Sequence, residues 1–257
     1  MHYFAVMNVV IIGTGNVAAV LSRMIKSTSH RLMQIAGRDI LKTKLLAASA
    51  GTEACTLDRV YTDADFYIIA VSDTALPEVT KNFCTKGTVV HTAGAVSKEI
   101  LADVSGEYGV LYPLQSLRKN LEHIPPVPFL VDGNTNQTIA KITRFANSIS
   151  DRVSVANDDE RMHLHIAAVF VNNFTNYLLT ITSDFCKKEK LDFSLLYPLL
   201  EETVSRLKVY SPAEMQTGPA VRNDSTTINR HLQLLNNYPG MSELYKLFTE
   251  RIRGYWG

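Results

Sequence analysis

The run Gly13-Thr14-Gly15-Asn16-Val17-Ala18 has the residue types and the spacing that let a backbone approach a pyrophosphate. Gly13 permits a sharp turn, Gly15 has no side chain to hold a phosphate away, and Ala18 is small enough for a following helix to pack on a sheet. The apolar run Val9-Val10-Ile11-Ile12 precedes the turn, and apolar residues at helical spacing (Val17, Val20, Leu21, Met24) follow it. A strand, a tight turn and a helix in that order are the start of a dinucleotide-binding unit, with free N–H groups at the helix start facing the phosphates. Gly13, Thr14, Gly15, Asn16 and Val17 are therefore the first candidate cofactor contacts.

Three further stretches bear on a dinucleotide. Arg38 and Asp39 follow a second strand about 20 residues beyond the glycines, where an acid selects NAD and an arginine pairs with the 2′-phosphate of NADP. Arg38 comes first, which favours NADP over NAD; the alternative is a solvated Arg38 beside a helix-capping Asp39. Ligands of an open α/β sheet lie at the carboxyl ends of its strands. That rule puts Val71-Ser72-Asp73 and His91-Thr92-Ala93-Gly94 on the binding side, with Val71, Ser72, Thr92, Ala93 and Gly94 as cofactor contacts. His91 itself reads more readily as a strand-end histidine satisfied by backbone groups than as a catalytic one.

Candidate chemistry in the second half sits on helices. At 100° per residue, His165, Val169, Asn172 and Asn176 form one stripe on a long apolar helix, either facing a substrate or hydrogen-bonding another helix. His163 and His165 are two apart and point to opposite sides, so they cannot chelate a metal together, and no metal site is expected. In Gly218-Pro219-Ala220-Val221-Arg222-Asn223-Asp224-Ser225-Thr226-Thr227, Asn223 or Asp224 can cap the next helix. Arg222 can grip a carboxylate, with Thr227 adding a hydrogen bond, or it can simply pair with Asp224. His165, Asn172, Asn173, Arg222 and Thr227 are the candidate catalytic and substrate-holding residues.

The elements that must position these groups can be read from the chain around them. Leu32–Ala36, Phe66–Val71, Thr88–His91, Val110–Tyr112 and Val127–Val131 read as strands; Ile40–Ala50 reads as a helix, and Asp73 can cap another running toward Phe83. Such alternation predicts a doubly wound parallel sheet. Near Val153 the character changes: acidic Asn157-Asp158-Asp159-Glu160 opens a long helix without Gly or Pro through Lys190. More helices follow, with breaks at Pro198, Ser211-Pro212, Gly218-Pro219 and Pro239-Gly240. The expected class is α/β, a Rossmann domain over residues 1–152 followed by an all-α domain over residues 153–257 for substrate and dimerisation.

Composition narrows the partners. With 26 Lys+Arg against 25 Asp+Glu, dispersed along 257 residues, nothing marks a nucleic-acid footprint or a membrane surface, so a small molecule is the expected partner, an anionic one if Arg222 grips it. Phe4 to Ile12 is too short to cross a bilayer and reads as a buried strand. Cys55, Cys84 and Cys186 are odd in number and far apart, as free thiols in a reducing cytoplasm would be. Apolar residues around most of the long helix, Phe170, Phe174, Tyr177 and Leu178 among them, predict a homodimer.

From Gly13-Thr14-Gly15-Asn16 through His91-Thr92-Ala93-Gly94 and Tyr112-Pro113-Leu114-Gln115-Ser116 to Gly218-Pro219 and His231-Leu232, the chain resembles bacterial Rossmann-like proteins with a helical C-terminal domain of unknown function. More distantly it is similar to pyrroline-5-carboxylate reductase and the β-hydroxyacid dehydrogenases, which act on small carboxylate-bearing substrates with nicotinamide cofactors. Both resemblances imply a homodimer built through the helical domain. Ala167-Ala168-Val169-Phe170-Val171-Asn172-Asn173 resembles the dehydrogenase helix, with Asn173 at its asparagine, but Val169 stands where that family has its catalytic lysine. The Thr226-Thr227 region resembles the reductase's substrate loop without its glycine pair. The resemblance implies reduction of a small carboxylate-bearing ketone or imine with NADP, the proton coming from water or a histidine. Hydride exchange between NADP and a deazaflavin, or a non-catalytic NADP-binding regulator or scaffold, are the alternatives.

Overall fold

The computed structural model describes residues 6–81 and 83–256. Strand β1 (Asn8–Ile12) leads through the glycine turn into helix α1 (Asn16–Lys26), followed by β2 (Arg31–Ala36), α2 (Ile40–Ala50), β3 (Glu53–Cys55) and β4 (Phe66–Ile69). Phe4, read with β1 from the sequence, lies outside the described residues. The chain continues through α3 (Leu76–Thr80), β5 (Thr88–His91), β6 (Tyr108–Pro113), β7 (Phe129–Gly133), α4 (Asn136–Ile149), β8 (Val153–Val155) and α5 (Asp158–Ala168). A π-helical segment, Val169–Phe174, joins α5 to α6 (Thr175–Lys188); α7 (Tyr197–Arg206), α8 (Ser225–Leu234) and α9 (Pro239–Trp256) complete the fold.

The strands form one sheet in the order β3-β2-β1-β4-β5-β6-β7-β8. Every pairing is parallel except β6 with β7. Val9 to Ile12 and Phe66 to Ile69 are at most 1% exposed, because helices cover both faces of a central parallel strand. Ile11, Ile68 and Phe129 pack on one side with Leu21, Ile25 and Phe145. Val10, Tyr67 and Ile69 pack on the other with Leu76, Phe83 and Leu101. This is the doubly wound architecture the alternation predicts, with β3, β8 and α4 added.

Local signals behave unevenly. Asp39 caps α2 by accepting from Leu41 and Lys42 N–H, and Gly51 closes it at φ 71°. Asp73 does not cap; it opens a single 3₁₀ turn, and α3 ends at Thr80, short of Phe83. Pro198 and Pro239 sit in the first turns of α7 and α9, where a missing N–H costs nothing, so they start helices instead of breaking them.

The chain divides into two compact units, Met1–Asn173 and Phe174–Gly257. The division falls beyond the change of character near Val153. β8 extends the sheet by pairing with β7, and Arg161 of α5 is buried beneath the loop that follows β5. Among the described residues, Asp158–Lys188 is the stretch long and apolar enough to cross a membrane by length and composition.

Candidate functional site

The glycine turn opens a cleft of about 400 Å³ at the carboxyl ends of β1, β2 and β4. Gly13 adopts φ +135°, and a Cβ there would lie 2.1 Å from the Ala70 carbonyl oxygen. Only glycine satisfies both conditions, so Gly13 is needed by the fold itself. Gly15 differs, because a Cβ on it would meet nothing within 4 Å: its bare backbone faces open space at the start of α1. That vacancy fits a pyrophosphate lying on the helix N–H groups.

Gly13, Thr14, Gly15, Asn16, Val17, Arg38, Val71 and Ser72 all line this cleft. Arg38 is well exposed and 3.7 Å from Glu78 in a loose ion pair. Asp39 is engaged instead as the α2 cap, and hydrogen bonding from the Lys42 backbone, with the nearby Lys42 side chain, holds its carboxyl below the usual range. Arg38 and Lys42 are the two cationic side chains on this part of the wall. Thr92, Ala93 and Gly94 line neither this cleft nor the next; they are buried in the turn after β5.

A second cleft, of about 610 Å³, lies between the end of β6 with the loop after it and the junction of α5 with the π segment. His165, Val169, Asn172 and Asn173 line it together with Tyr112 and Gln115. A regular helix would bring His165, Val169 and Asn172 to one stripe. Asn173, four residues beyond Val169, stands on the same wall, and the chain over Val169–Phe174 is π-helical. Asn16, on the wall of the first cleft, accepts through Oδ1 from the Lys119 N–H at 3.1 Å, three residues beyond Ser116 of the second. Val169 stands on the wall of the second cleft and has no proton to give.

Tyr112 is a member of this wall that the strand reading places but does not single out. Its hydroxyl is 2.8 Å from His165 Nδ1, with the rings edge-on at 5.8 Å. Gly94 packs directly beneath them: a Cβ there would be 2.7 Å from His165 Nδ1 and 3.0 Å from Tyr112 Cζ. Burial, then the charge of Asp73, holds the Tyr112 phenol above its ordinary range, with Arg161 pulling the other way.

Arg161 is the other residue missed. An arginine in the first turn of an acid-capped helix reads as a solvated i,i+3 partner, yet its side chain is 1% exposed. It donates to the carbonyls of Gly94 and Val96 and to Asp158, which also accepts from the Ser97 hydroxyl. This clamp fixes the loop carrying Gly94. His91 is satisfied by the backbone at one ring nitrogen only: its Nδ1 accepts from Ala93 N–H at 3.1 Å, while its buried Nε2 meets no hydrogen-bond partner among the described residues. Burial, with Arg161 nearby, pushes its pKa down to about 4, so the imidazole is neutral.

In the second unit, Asp224 caps α8 by accepting from both the backbone N–H and the hydroxyl of Thr227. Thr227 is therefore occupied as part of the cap. Arg222 is exposed in the preceding loop, beside Asn223 at φ 54°, and its charge helps hold Asp224 low after the Thr227 hydrogen bonds. No group of three or more potential metal ligands occurs among the described residues.

Two family patterns match the chain, a Rossmann-like domain over residues 3–115 and the domain of unknown function DUF2520 over residues 127–252. A candidate NADP oxidoreductase from Bacteroides fragilis is 31% identical, with a TM-score of 0.88 over 97% of this chain and 98% of that one. A 1-pyrroline-5-carboxylate reductase from Streptococcus pyogenes shares the fold at 15% identity and a TM-score of 0.68, over 97% and 99% of the two chains. So does an imine reductase from Myxococcus stipitatus in complex with NADP+, at 14% identity and a TM-score of 0.59, over 96% and 94%. No curated protein matches the chain.

Proposed function

Because the chain belongs to the Rossmann-like proteins that carry a C-terminal domain of unknown function DUF2520, we propose that it is a nicotinamide-dependent oxidoreductase. The finer reading is an NADP-dependent reductase of a small carboxylate-bearing ketone or imine. The observation that carries it is the unobstructed Gly15 backbone at the start of α1, opening on a cleft that Arg38 lines. Helix N–H groups and the Gly13–Val17 turn suit a pyrophosphate, and the Arg38 guanidinium, a fork of five donors, suits a 2′-phosphate. The bound nicotinamide would supply hydride. The protein's own task is to hold the acceptor, exclude water and provide a proton, and the second cleft has amide and hydroxyl groups for that. Arg222 is the cation proposed for the substrate carboxylate.

Titration with NADPH and NADH, followed by a hydride-transfer screen over 2-oxo acids and cyclic imines, tests this reading. Tight NADPH binding and turnover of a carboxylate-bearing acceptor are expected; absence of binding to either cofactor removes the proposal. Val169 at the lysine position of the β-hydroxyacid dehydrogenases favours a second reading, an NADP-binding regulator, which tight binding without turnover of any acceptor would support.

A further inference from the structure

Reduction of a C=O or neutral C=N bond needs a proton as well as a hydride, and the lysine that would supply one is replaced by Val169. Three features converge on a substitute. Tyr112 lies at the carboxyl end of β6, which runs parallel to β5, so it shares the sheet edge that carries the glycine turn and the Gly94 loop. Its hydroxyl meets His165 Nδ1 at 2.8 Å, and both residues line the second cleft with Asn172 and Asn173. The pair is seated on the backbone of Gly94 with no room for a Cβ, and that backbone is held by the Arg161–Asp158–Ser97 clamp.

Resting on the reductase reading above, we propose that Tyr112 is the catalytic proton donor and that His165 is the positioning residue that aligns and recharges it. In the reactive arrangement His165 Nδ1–H donates to Tyr112 Oη, and the phenolic hydrogen points to the substrate. As the substrate carbon accepts hydride from the reduced nicotinamide, the Tyr112 O–H bond breaks and an O–H or N–H bond forms on the substrate. The nicotinamide is oxidised and the C=O or C=N bond is reduced to its single-bonded form. The phenolate then takes the Nδ1 proton as solvent protonates Nε2, so the net input is one hydride and one proton. Burial, then the charge of Asp73, keeps the phenol protonated until transfer, and the charge of Arg161 acts in the opposite sense.

The test separates proton delivery from packing. One probe is 1-pyrroline-2-carboxylate at alkaline pH, where its nitrogen is unprotonated; the other is its N-methyl iminium counterpart, which needs no proton. With NADPH, Tyr112→Phe is expected to slow the imine about 100-fold while leaving the iminium within about threefold, since a general acid matters only to the first. His165→Ala should slow the imine less and shift its pH profile. A readout independent of turnover is tyrosine Cζ NMR of the NADP+ complex, with the Tyr112 resonance identified by its loss in Tyr112→Phe. Its titration should move in His165→Ala. Equal losses on both probes, or a phenol titration indifferent to His165, would overturn the proton-donor assignment while leaving the reductase reading standing. A wild-type protein that binds NADPH yet reduces neither probe nor any acceptor of the wider screen overturns both.

Discussion

Arg161 Nη2 lies 2.7 Å from Asp158 Oδ1, and the pair grips the loop after β5 through the carbonyl oxygens of Gly94 and Val96. A cation 1% exposed is kept there by Nε and Nη2, which donate to two carbonyls and a carboxylate, while its buried Nη1 meets no partner among the described residues; the loop it holds is the floor under Tyr112 and His165. Fold stability and site geometry therefore meet in one side chain.

Breaking that pair leaves a partly buried carboxylate. Arg161→Met is expected to cost about 3 kcal/mol, the low end for a buried ion pair because Asp158 keeps 30% of its side chain exposed. Urea denaturation at neutral pH measures it. Burial alone would raise the Asp158 carboxyl, but the Ser97 hydroxyl and Arg161 hold it below its usual value. A lowered carboxyl stabilises the fold above the unfolded pKa, and the contribution is lost as pH falls through the folded one. Arg161→Met should accordingly flatten the acid limb of the stability curve.

His91 makes a separate acid-sensitive contribution. Its pKa falls from 6.5 to about 4 on folding, so the unfolded chain binds the extra proton between those values. Stability attributable to His91 is complete above pH 6.5 and declines by about 3 kcal/mol toward pH 4, at 1.36 kcal/mol per pH unit. His91→Gln should remove that slope; chemical denaturation at pH 7, 5.5 and 4.5 reads it directly.

The two glycines of the turn should fail differently. Gly13→Ala forces a Cβ onto the Ala70 carbonyl at a positive φ, and a loss of about 3 kcal/mol or more in thermal unfolding is expected. At Gly15 an added Cβ meets no protein atom within 4 Å, so Gly15→Val should melt close to wild type while losing dinucleotide binding by calorimetry. Unchanged affinity would show that the cleft is not the cofactor site.

On the proposed reading, Arg38 sets the choice of cofactor. Because Asp39 is committed to its helix cap, Arg38→Ala should weaken NADP by about 1.5–3 kcal/mol and leave NAD almost untouched, the difference being one charge-assisted contact. Equal losses for both cofactors would return Arg38 to its loose pairing with Glu78.

Assembly follows from exposed apolar surface. Leu195, Leu199 and Val204, on α7 and the turn that leads into it, are each 65–77% exposed, far more than a soluble monomer ordinarily leaves on one element. We expect a homodimer in detergent-free buffer by light scattering at micromolar concentration. A stable monomer would argue against it, and a requirement for detergent would point to the long helix meeting lipid.

The sequence by itself was enough for the Rossmann unit. Central parallel strands are buried on both faces and so are written as unbroken apolar runs, and the bounds of Ile40–Ala50 and Thr88–His91 agree with the elements observed. The glycine turn is legible for the same reason: its conformation depends on a few adjacent residues. Short edge strands such as Val153–Val155 carry too few residues for a pattern, and their pairing is decided by the neighbouring strand. Only the tertiary structure decided the second cleft. Tyr112, Gly94 and His165 are dispersed along the chain, and nothing local to any of them says they touch. The π turn over Val169–Phe174 breaks the helical period on which a sequence reading must rely. Arg161 is the sharpest case: its neighbours in sequence are acids that read as solvent partners, while the carbonyls that bury it come from a loop more than sixty residues away.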